Sequence, residues 1–214
     1  MGVDPGAGGA TGGRRFDRRF VITVLRAAAV GLVVALLGLL VWDMVATGSG
    51  ASFVSKIKEG KRPLAPAFAV PVLWDQHATW PAALRSRLDD GRLALTELRG
   101  FPVVLNFWAS WSIPCREEAP AFRAMAKRYA GRVVFLGMDI QDLKSSARRF
   151  LGRYHVNYVS VRDGSDSVYT AYGLTGVPET FFLDRRGKAI GHSVGAVSKR
   201  ELEQNVRALL KEAR

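Results

Sequence analysis

The sequence predicts an α/β domain, a mixed central sheet layered between helices as an α/β/α sandwich, preceded by one N-terminal transmembrane helix. Three observations predict it. A long apolar run lies within residues 20–46 and follows a cluster of arginines. Beyond residue 64, short β-forming runs alternate with amphipathic helical runs, which implies parallel strands joined by right-handed crossovers. Near the end, two β-forming runs flank Arg185-Arg186-Gly187-Lys188 and read as an antiparallel hairpin, which makes the sheet mixed.

Taken in order, residues 1–19 are Gly-rich and basic, without apolar periodicity, and read as a disordered cytoplasmic tail. Residues 20–46 read as a membrane anchor: the stretch 27–42 has no charged side chain, Arg26 can snorkel inward, and Trp42 suits the headgroup layer beside Asp43. Arg14, Arg15, Arg18, Arg19 and Arg26 all precede the apolar stretch, so the N-terminus is expected in the cytoplasm and the domain outside. A signal-peptide h-region is shorter, about 7–15 residues, which favours an uncleaved single-pass anchor in the cell membrane. Residues 47–63, small and then basic (Lys56, Lys58, Lys61, Arg62), read as a solvated linker.

The folded domain is expected over residues 64–214. Residues 68–74 and 93–95 suggest a short strand pair around the turn Asp89-Asp90-Gly91, with a helical segment after Pro81. Residues 103–108 (Val-Val-Leu-Asn-Phe-Trp) are nearly all apolar, as in a strand covered on both faces. In 114–130, Ala119, Phe122, Met125, Ala126 and Tyr129 recur at helical spacing, with Pro120 inside and Ser112 at the N-cap position. A strand at 133–138, a basic helix at 144–154, a strand at 158–161 and a short helix at 167–172 follow. The hairpin 179–194 precedes a last helix opened by the capping box Ser198-Lys199-Arg200-Glu201.

Composition excludes several functions. Lys plus Arg total 31 against 19 Asp plus Glu, but they are spread along the chain with no recognition module, so no nucleic-acid partner is expected. Cys115 is the only cysteine, so no internal disulfide can form, and His77, His155 and His192 lack the spacing of a metal site. Neither a metal nor a cofactor is expected.

A strand followed by Trp111-Ser112-Ile113-Pro114-Cys115 and then a helix is where a helix N-terminus can stabilise a thiolate. The stretches Phe107-Trp108-Ala109-Ser110-Trp111, Pro114-Cys115-Arg116-Glu117-Glu118-Ala119-Pro120 and Thr175-Gly176-Val177-Pro178-Glu179-Thr180-Phe181-Phe182 resemble the membrane-anchored TlpA/ResA/CcmG (DsbE) group of thioredoxin-fold thiol-disulfide proteins. The resemblance implies a thioredoxin-like domain. It puts Ser112 in the place of the attacking cysteine, Cys115 in that of the resolving cysteine, and Pro178 in that of a cis-proline facing the motif. It further implies that Trp111, Val177 and Glu179 bind an incoming peptide, Glu179 matching the acidic residue beside the proline. Asn106 stands where thioredoxin has a buried acid, so no proton acceptor is expected there. The partners implied are exported cysteine-containing proteins, apocytochrome c among them, and a membrane thiol-disulfide donor, with lipid met through the N-terminal helix.

The serine limits what carries over. A hydroxyl without an adjacent base does not attack a disulfide, so the dithiol cycle is closed to this chain, and Ser112 suits an N-cap better. Cys115 reads equally as a reactive monothiol or as an inert buried side chain. Four functions follow: monothiol chemistry with an exported partner, a redox-inert binding module for exported polypeptides, a Cys115-dependent peroxidase suggested by Ser112-x-x-Cys115, and an ordinary dithiol reductase carrying a Cys-to-Ser change at Ser112.

Overall fold

The structure, a computed structural model, describes residues 18–46 and 49–212. The tail expected over residues 1–19 therefore lies, up to residue 17, outside the described residues. The chain divides into two compact units, Met1–Ala46 and Thr47–Arg214. The first contains α1 (Arg18–Ala46), whose described side chains, at 25, 26 and 28–42, are exposed. Among the described residues no helix is long and apolar enough to cross a membrane.

In the second unit the stretch expected as a solvated linker forms a helix, α2 (Ser49–Lys58). Phe53 is only 5% exposed and packs edge-on against Tyr172, with ring centroids 5.3 Å apart, and at 5.5 Å against Phe181. Val54 and Ile57 add to the same contact, so Phe53, Val54 and Ile57 make one apolar stripe. Small flanking residues and the lysines suggested a tether; burial of the aromatic ring decides for a helix.

Two strands follow, β1 (Ala69–Trp74) and β2 (Arg92–Ala94), paired antiparallel. Between them the helical segment is two 3₁₀ turns, His77–Thr79 and Ala82–Leu88. Pro81 and the Asp89-Asp90-Gly91 turn leave room for too few residues to propagate an α-helix. A third such turn, Leu95–Leu98, leads into β3 (Val103–Trp108), buried along its whole length. Then come α3 (Ile113–Arg128), β4 (Val134–Ile140), α4 (Lys144–Arg153), β5 (Val159–Asp163), α5 (Ser167–Tyr172), β6 (Glu179–Leu183), β7 (Ala189–Val194) and α6 (Lys199–Glu212).

The seven strands form one sheet in the order β2-β1-β5-β4-β3-β6-β7. The centre, β3 with β4 and β4 with β5, is parallel, while β6, β7 and β1 join antiparallel. Helices α3, α4 and α6 cover one face through Phe122, Met125, Leu151, Leu202 and Val206. Helices α2 and α5 cover the other, around Phe107, Phe181 and Tyr172. Only the hydroxyl half of the box at Ser198 forms, Ser198 Oγ accepting from the Glu201 N–H at 3.2 Å, because the Glu201 carboxylate accepts from Ser193 instead. The topology delivers the C-terminus of β3, the N-terminus of α3 and the loop before β6 to one end of the sheet.

Candidate functional site

At that end Ser112 caps α3. Its Oγ accepts from the Cys115 N–H at 3.3 Å and donates to the Val177 carbonyl at 3.3 Å, so the hydroxyl ties the helix start to the loop before β6. The Val177–Pro178 peptide bond is cis, and Pro178 is buried. Cys115 is 2% exposed. Burial pushes its thiol up to about 11, against the lowering effect of its contacts with Ser112 and the Ala109 backbone, and the charge of Glu118 adds to the rise. At neutral pH it is a protonated, enclosed thiol.

Around this withheld sulfur several apolar side chains lie open, beside a cleft lined mainly by polar residues. Trp111 is 54% exposed, held by its indole N–H donating to the Gln141 carbonyl at 2.9 Å, and Ile113 and Leu143 are exposed beside it, with Val177 half-buried. A cleft of about 480 Å³ runs from Trp111 and Ser110 past Gln141, Asp142 and Leu143 to Arg162. Asp142 fixes its rim by accepting from the Ser110 N–H at 2.6 Å and the Ser110 hydroxyl at 3.0 Å. Trp111, Ser112, Cys115, Val177 and Pro178 are thus brought to one place.

Glu179 is not part of that surface. It is buried, and its Oε1 accepts from the Thr175 N–H (2.8 Å), the Thr175 hydroxyl (3.0 Å) and the Gly176 N–H (3.2 Å), while Oε2 meets His192 Nε2 at 2.7 Å. Burial pushes its carboxyl up, but the His192 and Thr175 contacts outweigh that and hold it below its ordinary value. Instead of lining a peptide contact, it braces the loop that presents Pro178. His192, stacked on Phe181 at 4.2 Å, anchors the brace to β7.

Sequence reasoning missed two residues. The first is Glu118. Asn106 is indeed an amide, yet its Nδ2 donates to Glu118 Oε1 at 2.9 Å, so an acid occupies the buried space beside that position after all. Glu118 Oε2 accepts from the Val197 N–H at 3.0 Å, and burial pushes its carboxyl up to about 7. The signal was present: positions 115, 118, 119 and 122 share one helical face, and that face is the buried one. The second is His192, whose pairing with Glu179 depends on strand register and left no mark in the sequence.

The Redoxin family matches residues 58–210 of the 214 in the chain. The chain belongs to the Redoxin family. Within it, this redoxin is 30% identical over 133 residues to the thiol-disulfide oxidoreductase ResA of Geobacillus thermodenitrificans (strain NG80-2), covering 62% of this chain and 76% of that protein. It is 33% identical over 130 residues to the thiol:disulfide interchange protein DsbE of Pseudomonas fluorescens biotype C, covering 58% and 71%. Among solved structures, that of MTB dsbF in its mixed oxidized and reduced forms is similar, with a TM-score of 0.56 at 28% identity over 66% of this chain and 94% of that one. The fold is thioredoxin-like, and the redoxin is of the ResA/DsbE thiol-disulfide oxidoreductase type.

Proposed function

We propose that this redoxin is a membrane-anchored, extracytoplasmic member of the ResA/DsbE type that holds exported, cysteine-bearing polypeptides at the surface around Trp111, Ile113 and Leu143, beside Pro178, without dithiol turnover. One observation carries the reading: the site withholds its only sulfur, Cys115, while leaving Trp111, Ile113 and Leu143 open around it. An enclosed thiol pushed up to about 11 is a poor nucleophile at neutral pH, which counts against monothiol chemistry and against a peroxidase. The Ser112 hydroxyl donates to the Val177 carbonyl, so it is not free to orient a peroxide. An exposed apolar patch beside a cleft is the kind of surface that takes an extended chain. The extracytoplasmic anchor is supported by the arginines that precede the apolar run 27–42.

The test uses the full-length chain in neutral detergent. It is expected to show no turnover of a protein disulfide such as that of insulin, and to bind a reduced cysteine-containing peptide with equal affinity as wild type and as Cys115→Ala. Trp111→Ala should weaken that binding by about tenfold, the effect of removing an aromatic anchor. Loss of peptide binding in Cys115→Ala, with wild type trapping the same peptide when it is supplied as its disulfide with glutathione, Cys115 bonding to the peptide sulfur and glutathione leaving as the thiol, establishes monothiol chemistry instead. Peroxide consumption that depends on Cys115 establishes the peroxidase. Ser112→Cys should gain disulfide reduction, because the helix N-terminus, Trp111 and Pro178 stand ready for a dithiol.

A further inference from the structure

Far from the motif, a second cavity opens where β3 begins. Phe101 and Pro102 enter β3 at the end opposite Trp108, about 20 Å away for a strand of this length. The cavity measures about 800 Å³, and five of its lining side chains are cations: Arg128, Arg132, Arg185, Arg207 and Lys211. They come from three separate parts of the chain, the end of α3, the β6–β7 turn and the end of α6. Among the described residues, no acidic residue lines the cavity.

Within 4 Å of these five groups, among the described residues, stands one carboxylate, Glu203, shared between Arg128 at 3.2 Å and Arg207 at 2.6 Å. Arg132, Arg185 and Lys211 have no carboxylate partner among the described residues within that distance. Two of the guanidinium groups are also positioned. Arg128 and Arg132 lie 5.9 and 5.8 Å from the centroid of the buried Tyr129 ring, in cation–π contact. Like charges converging on a concave surface raise its potential and concentrate anions there.

We propose that this cavity is a binding site for a compact anion carrying two or more phosphoryl groups. Guanidinium forks match phosphoryl oxygens in bidentate pairs, and several forks set around one hollow suit a multivalent anion. The volume exceeds what a single small ion needs, and Phe101 with Leu210 gives the wall an apolar portion. A soluble oligophosphate and the headgroup of a diphosphate lipid share this chemistry.

Isothermal titration of the full-length chain in neutral micelles with tripolyphosphate tests the site. In a parallel titration, short-chain cardiolipin, whose headgroup carries two phosphates, replaces the tripolyphosphate. The variant is Arg132→Gln with Arg185→Gln. Both side chains are exposed, and unchanged thermal unfolding verifies the fold. The control, Arg148→Gln with Arg149→Gln on the exposed face of α4, removes the same charge elsewhere. Binding of at least one probe is expected, weakened about tenfold or more by the cavity variant and left within about twofold by the control. Dependence seen only with tripolyphosphate assigns a soluble ligand, and dependence seen only with cardiolipin assigns a lipid headgroup. Equal weakening by both double variants, or binding of neither probe, overturns the proposal.

Discussion

If Cys115 is as enclosed as its 2% exposure implies, its reaction with iodoacetamide in the native protein should be slow, and slow by a calculable amount. The ordinary thiol value is 9.0, and burial pushes Cys115 up to about 11. At pH 8 an ordinary thiol is thiolate in roughly one molecule in ten, whereas this one is so in roughly one in a thousand. Ionisation alone therefore slows alkylation about a hundredfold, equivalent to about 3 kcal/mol against the thiolate. Limited access to the sulfur slows it further. The assay compares alkylation of the full-length chain, native and in denaturant, by quenched mass spectrometry from pH 6 to pH 10. Its outcome should be a native rate at least about a hundredfold below the denatured one at pH 8, still rising tenfold per pH unit there. A native rate that equals the denatured one at pH 8, or that levels off below pH 8, would refute the reasoning. It would mean that the helix N-terminus and Ser112 stabilise the thiolate more than burial opposes it, and monothiol chemistry would then be open.

Two further outcomes are expected of the fold. Phe53→Ala should destabilise the second unit by about 3 kcal/mol in a urea titration, because the ring is buried against Tyr172 and Phe181; a change below about 0.5 kcal/mol would return residues 49–58 to the status of a tether. Glu118 sets a pH dependence: with its folded value raised from 4.5 to about 7, its contribution to stability is fully present below pH 4.5 and is lost as pH rises through 7. Stability should therefore fall between pH 5 and pH 8, by up to about 3 kcal/mol from this group. Asp139, buried beside Arg162 and also pushed up to about 7, acts in the same direction. A midpoint that stays flat or rises over that interval, or a slope unchanged in Glu118→Gln, would contradict the assignment.

The sequence by itself determined the central strands, because a run such as 103–108 has no polar face to offer solvent and must be covered on both sides. It likewise determined the start of α3, since a serine one residue before an amphipathic run with proline at its second position is a local signal, complete within a few residues. The single cysteine, a fact of the sequence alone, rules out an internal disulfide. Tertiary structure decided what depends on groups distant along the chain. That Cys115 is enclosed rather than poised follows from packing by α3 and its neighbours, and the low-dielectric surroundings that raise its pKa cannot be read from its position in a motif. The sequence shows Glu179 as an acid beside a proline, and only the register of β6 on β7 pairs it with His192. Phe53 sits among small and basic residues, and only its contact with rings more than a hundred residues away made that stretch a helix of the domain. The positive charge, evenly distributed along the sequence, becomes a cavity of five cations because the ends of α3 and α6 and the β6–β7 turn meet at one end of the sheet. Hydrophobic periodicity and capping are local and therefore legible, whereas burial, register and the convergence of charge are sums over distant residues that only the folded chain evaluates.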